Sequence, residues 1–132
     1  MNRMQNSSEY RIAIDKLTMF HSEEANTRRM MEESAELIQA VNKMQRFVNN
    51  EECGDINKDT VRNNLIGEMA DVLICIDIMR STYTITDKEI DKALSEKMER
   101  NLHRLNISKA NGKAQAMKAF AAAHECCGRC VD

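Results

Sequence analysis

Two acidic pairs stand out as groups that could do chemistry: Glu33 with Glu36, and Glu68 with Asp71. The spacing within each pair is close to one helical turn, so both members project from the same side of a helix. With Glu33 as zero and about 100° per residue, Met30, Leu37, Ala40, Met44, Phe47 and Val48 fall between about −40° and +60°. Glu33 therefore sits inside the apolar stripe of its helix. With Glu68 as zero, Val61, Leu65, Val72, Cys75, Met79 and Tyr83 fall between about −20° and +60°, and Glu68 lies inside its stripe in the same way. Glu36 and Asp71 lie at the stripe edges, each about 60° to the same side.

The two pairs also mirror one another. Positions 33 and 71, and positions 36 and 68, share a midpoint at 52, inside the polar run from Asn49 to Asn57. An antiparallel hairpin turned there brings all four carboxylates together. Even one unpaired charge in a core costs on the order of several kcal/mol, so the cluster calls for a cation. Oxygen-only donors without His or Cys suit a hard ion, Mg²⁺ or Mn²⁺, and carboxylate-held Mg²⁺ completes its shell with water and substrate phosphates. The pattern points to phosphate chemistry. Acids three apart are also common on solvated helices, and the competing reading pairs these four with Arg28, Arg29, Arg80 or bases of a later helix as buried ion pairs. A di-iron bundle would want Glu-x-x-His pairs, which are missing here. Asp77 faces away from Glu68 and reads as a capping, interface or surface acid.

The elements that must position these groups are helices. The chain has no proline, four glycines and ten methionines, with long stretches free of breakers. Ser7-Ser8-Glu9 opens a first helix that ends near His21, and Ser22-Glu23-Glu24 caps a second running to about Val48. Asn57-Lys58-Asp59 caps a third, about Thr60 to Tyr83. Its centre, Ala70 to Met79, is apolar nearly all round, as in a helix covered on several sides, and this predicts a homodimer or homotetramer. Thr86-Asp87-Lys88-Glu89 is a capping box for a fourth helix to about Leu105. With Leu94 as zero, Ile90, Met98, Leu102 and Leu105 define its apolar face, and Asn101 lands inside it at about −20° with Lys97 at the edge. An amide there must find partners in the core. The expected fold is all-α, a four-helix bundle over 1–107 followed by a weakly structured Ala- and Cys-rich tail over 108–132. In that tail His124, Cys126, Cys127 and Cys130 could hold zinc, but the second ligand pair of a four-ligand site is absent.

The length of 132 residues suits one domain. A net charge of −2, with acids and bases interspersed, gives no basic field for a nucleic acid. The first residues carry no apolar signal-type core, and the longest apolar run, Val72 to Ile76, is far too short for a membrane span. Five cysteines, an odd number, do not make a disulfide framework. A soluble, cytoplasmic chain is expected, with no membrane or nucleic-acid partner.

Glu32-Glu33-Ser34-Ala35-Glu36-Leu37 followed by Glu68-Met69-Ala70-Asp71-Val72-Leu73 resembles the EExxE and ExxD signature of the MazG-like, all-alpha nucleoside triphosphate pyrophosphohydrolases. Lys97-Met98-Glu99-Arg100-Asn101 resembles their closing KxxxN segment, and Phe20-His21 looks like the helix-one end of the dCTP-cleaving branch. The resemblance spans residues 10 to 105. It implies Mg²⁺, with Mn²⁺ as substitute, on Glu33, Glu36, Glu68 and Asp71. It further implies that Lys97 and Asn101 meet the triphosphate, with Arg100 and His21 among the substrate-binding residues, and that hydrolysis falls between the α- and β-phosphates to give a nucleoside monophosphate and pyrophosphate. Glu36, at the stripe edge with one face toward solvent, is the expected catalytic residue that orients the attacking water. The Trp residues that stack the base in some members are absent, which leaves base identity open. The rival expectation is a non-catalytic helical oligomeric interaction protein with buried acidic ion pairs.

Overall fold

The computed structural model describes residues 4–51 and 57–106. These residues are all-α: a short 3₁₀ turn, Met4–Asn6, then α1, Ser8–Phe20, α2, Glu23–Val48, and α3, Lys58–Thr82, with α4 over 87–106. No strand occurs among them, and no helix is long and apolar enough to cross a membrane. The chain divides into two compact units between Thr86 and Asp87. The first contains α1 to α3 and the second contains α4. The tail from 108, with its candidate zinc ligands, lies outside the described residues.

Each helix of the first unit starts where its cap residue can satisfy a backbone donor. Ser7 Oγ accepts from the Tyr10 amide at 3.1 Å, Ser22 Oγ from Ala25 at 3.1 Å, and Asn57 Oδ1 from Thr60 at 2.8 Å, bonds that replace the missing intrahelical partners of the first turn. The C-termini of α2 and α3 close alike. Asn50 and Thr84 adopt left-handed φ of 56° and 54°. This lets the Glu51 amide donate to Arg46 O at 3.0 Å and the Ile85 amide to Arg80 O at 2.8 Å, the Schellman closure usually given to glycine. Asn tolerates that backbone well, whereas the β-branched Thr84 is strained there.

α2 packs along α3, and α1 packs on another side of α3. Ala40 of α2 and Val61 and Cys75 of α3 are buried in the seam their stripes define, and Ile14 of α1 is buried with Ile78 of α3. Asn26 is 3% exposed, and its Nδ2 donates to Thr18 O, 3.2 Å away in the last turn of α1, so one otherwise unpaired helix-end carbonyl is met from the next helix. Two sides of α3 are thus covered. The third is open: Ile66, Met69, Leu73 and Ile76 are exposed, as are Met31, Ile38 and Val41 on α2. On both helices these residues lie about 80° to 160° from the seam acids, which in an antiparallel pair is one face of the hairpin.

Asp77, on the side of α3 away from Glu68, joins α1 to α3. Its Oδ2 accepts from Tyr10 Oη at 2.9 Å and Gln5 Nε2 at 3.1 Å, and its Oδ1 from the Arg80 guanidinium at 3.3 Å. Burial, and then the bond to Asp77 and its charge, push the Tyr10 phenol from 10.0 up to about 12. The folded chain holds this proton more tightly than the unfolded chain does. The resulting stabilisation is complete below the unfolded value of 10.0 and is lost as pH rises through the folded value of about 12. In urea titrations Tyr10→Phe should therefore cost about 1 kcal/mol near neutral pH, and the gap between parent and variant should close across that alkaline window. An unchanged gap would remove the Tyr10 bond from the interactions that hold α1.

Candidate metal centre

The α2–α3 pair runs antiparallel. Thr27 Oγ1 and Tyr83 Oη are 3.3 Å apart at one end, Arg29 lies beside Cys75, and Glu36 meets Glu68 further along. This register carries the seam glutamates to the same level. One carboxylate oxygen from each of Glu33, Glu36 and Glu68 lies within 4.8 Å of the other two. Asp71, one methylene shorter and nearly a turn further along α3, is outside that group, but its charge acts on Glu68.

Glu68 is the most strained of the set. Its Oε2 is shut off from solvent and has no hydrogen-bond partner. Desolvation, then the charges of Glu36, Asp71 and Glu33, raise its carboxyl above the usual 4.5. Glu33 and Glu68 are half-buried and Glu36 exposed, so the cluster has a sheltered side and an open rim at Glu36.

The donor set fits a hard divalent ion. Two oxygens bound to one octahedral ion at about 2.1 Å stand about 3 to 4 Å apart, so groups already within 4.8 Å need only small side-chain rotations to share one. The buried, unpartnered Glu68 Oε2 is the kind of atom such an ion would satisfy. Arginine neutralises the cluster only in part. Arg28 pairs with Glu24 at 2.6 Å and Arg80 with Asp77 at 3.3 Å, while Arg29 Nε reaches Glu33 Oε1 at 3.4 Å. Among the described residues no ion pair reaches Glu36, Glu68 or Asp71.

Cys75 completes this neighbourhood. It is 2% exposed; burial raises its thiol, Arg29 lowers it, and Glu33 and Asp71 raise it. The approach of Arg29 to Cys75 was available in the pattern, since Arg29 lies at about −40° on the stripe of Glu33 and Cys75 at about −20° on that of Glu68.

The remaining candidate residues lie outside α2 and α3. Lys97, Arg100 and Asn101 are exposed on α4. Asn101 lies on its helix among Leu94, Met98, Leu102 and Leu105, each more than half exposed. His21 follows the last residue of α1, exposed, with its ring edge-on to Phe20 at 4.9 Å; no hydrogen bond or ion pair joins it to the acids among the described residues. Comparison with protein-family models, with curated proteins and with solved structures finds no match for this chain.

The strain at Glu68 has a measurable sign. With its carboxyl raised in the folded state, its contribution to stability is fully present below the unfolded value and is lost as pH rises through the folded one. In chelator-treated protein Glu68→Gln should melt at or above the parent temperature at pH 7, and acidification towards pH 5 should favour the parent more than the variant. A Glu68→Gln protein markedly less stable than the parent at pH 7 would mean that the carboxylate is satisfied by a bond the geometry does not contain.

Proposed function

We propose that this chain is a Mg²⁺-dependent hydrolase of nucleoside or deoxynucleoside triphosphates, of the MazG-like all-alpha kind, acting in the cytoplasm to release a nucleoside monophosphate and pyrophosphate. The observation that carries the reading is the convergence of Glu33, Glu36 and Glu68 around a buried carboxylate oxygen that lacks a partner. The EExxE, ExxD and KxxxN resemblance supplies the substrate class. Glu33, Glu36 and Glu68 would hold Mg²⁺, with Mn²⁺ as substitute and Asp71 adding charge from the next turn. Such an ion, when bound, offsets charge on phosphate oxygens and lowers the pKa of a bound water.

The residues of the chain have separate tasks in this reaction. The exposed carboxylate of Glu36 accepts a hydrogen bond from the attacking water and orients it toward the phosphorus. Glu68 presents its shielded Oε2 to the cluster, and Glu33 is held from the same helix as Glu36, so the angle between them is fixed by the backbone. Lys97, Arg100, Asn101 and His21 are assigned to the substrate by resemblance alone, Lys97 as a point charge and Asn101 as an amide donor.

The non-catalytic alternative draws on the open apolar face of the α2–α3 hairpin, where Ile38 is 69% and Leu73 46% exposed. That face equally suits an enzyme that works as a homodimer or homotetramer. Light scattering at micromolar concentration should give a mass above one chain, and Leu73→Glu should lower it. A parent that scatters as a monomer would sink the oligomer in both readings.

Pyrophosphate release from a mixed dNTP pool, with and without Mg²⁺, separates the two. Release should require the ion and fall at least about 100-fold in Glu36→Gln and Glu68→Gln. Mg²⁺ at 100 times its Kd should stabilise the parent by about 2.7 kcal/mol and the double variant not at all. Lys97→Ala should raise KM or lower kcat at unchanged melting temperature. Turnover near the parent level in either glutamine variant would overturn the metal assignment.

A further inference from the structure

Arg29 has a place in this cluster that neither the resemblance nor the proposed reaction gives it. Among the described residues it is the cation that reaches the acidic group, through Glu33 Oε1 at 3.4 Å, and it also lies against the buried Cys75 thiol. Its side chain is 44% exposed, against 18% for Glu33. The pair is weak. A half-exposed ion pair is screened by water, the contact lies beyond the usual range of an N–H···O hydrogen bond, and a base placed four residues before an acid is the less favourable order on a helix. A weak contact to a residue that must also bind a cation is one the cation can displace.

We infer that Arg29 is the built-in counter-charge of the acidic cluster, holding Glu33 when no divalent cation is bound and competing with that cation for the same carboxylate. The inference rests on the metal reading of Glu33, Glu36 and Glu68. Two consequences follow from charge alone. Without Arg29, three converging carboxylates and Asp71 have no guanidinium beside them, so the metal-free fold loses part of its neutralisation. The same loss removes a positive charge from beside the cation site. A unit charge about 6 Å from a divalent ion changes its affinity by roughly tenfold even when screened as in bulk water, so removal of Arg29 makes cation binding tighter. A residue that merely oriented Glu33 for the ion would act in the opposite direction, since loss of an orienting partner weakens metal binding by about 10- to 100-fold.

The test measures Mn²⁺ binding by electron paramagnetic resonance and the melting temperature of the chelator-treated full chain, for the parent, Arg29→Gln and Arg29→Lys. Arg29→Gln should bind Mn²⁺ about three- to tenfold more tightly than the parent and melt lower without metal. Arg29→Lys, which keeps the charge, should bind within about twofold of the parent. The double variant Arg29→Gln/Glu33→Gln should recover the metal-free melting temperature. If the parent binds Mn²⁺ and Arg29→Gln binds it equally or more weakly, the competition is overturned while the metal reading survives. If the parent binds no Mn²⁺ at millimolar concentration, the metal reading falls and the competition with it. An Arg29→Gln protein as heat-stable as the parent without metal overturns the counter-charge role.

Discussion

Like charges gathered in an apolar seam set the terms for the first unit. Helices α2 and α3 could bury more apolar surface if Glu33 and Glu68 were leucines, and the repulsion among these carboxylates works against the hairpin that holds them. Burying a charge without a partner is among the most expensive things a small core can do. The chain limits the penalty by grading exposure. Glu33, beside Arg29, and Glu68 are half-buried, and Glu36 reaches solvent. The gradient leaves one carboxylate oxygen unsatisfied and concentrates the strain at a single atom, Glu68 Oε2.

A seam under repulsion has to be held from elsewhere. On α3 the opposite side is tied to α1 by Asp77, which accepts from Tyr10 and Gln5, and Ser81 Oγ donates to Asp15 Oδ1 of α1 at 3.2 Å. At the other corner Asn26 links the start of α2 to the end of α1. The bonds from Tyr10, Gln5 and Asn26 are part-buried, so each outweighs an exposed ion pair, while the Ser81 bond is exposed. Together they attach α2 and α3 to a common third helix. The acids can therefore stay close without being attracted to one another.

Most of this frame is legible in the sequence because caps and stripes are local. Ser7, Ser22 and Asn57 announce helix starts through side chains that serve donors within the next turn, and those starts fall where expected. The seam is legible for a different reason: the shared midpoint of the acidic pairs fixes one hairpin register, and a register is a global fact encoded by two local ones. What escaped was whatever depends on a third helix or on side-chain length. No periodicity signals that Asp77 accepts from Tyr10, or that Asn26 meets Thr18, because the partners lie on other helices and carry no mirrored pattern. Asp71 passes the angular test that Glu36 passes yet stays outside the converging group, since angle says nothing of reach.

The difference between Glu36 and Asp71 bears on what the cluster can do. Both sit at the same edge of their stripes, so a symmetric quartet would present two equivalent rim acids. The structure breaks that symmetry. Glu36 has both the reach to join Glu33 and Glu68 and an exposed face, while Asp71 is half-buried near Cys75 and supplies charge from behind. In the proposed reading, three oxygens from two helices would leave the remaining directions around a six-coordinate ion to water or to an incoming phosphate, and the rim that would admit them is the one Glu36 lines. An ion held by all four acids would be better neutralised and less able to accept a new ligand. On that reading the shorter side chain at position 71 would favour an open coordination sphere over a closed, purely structural one, the property a phosphate-binding cation needs.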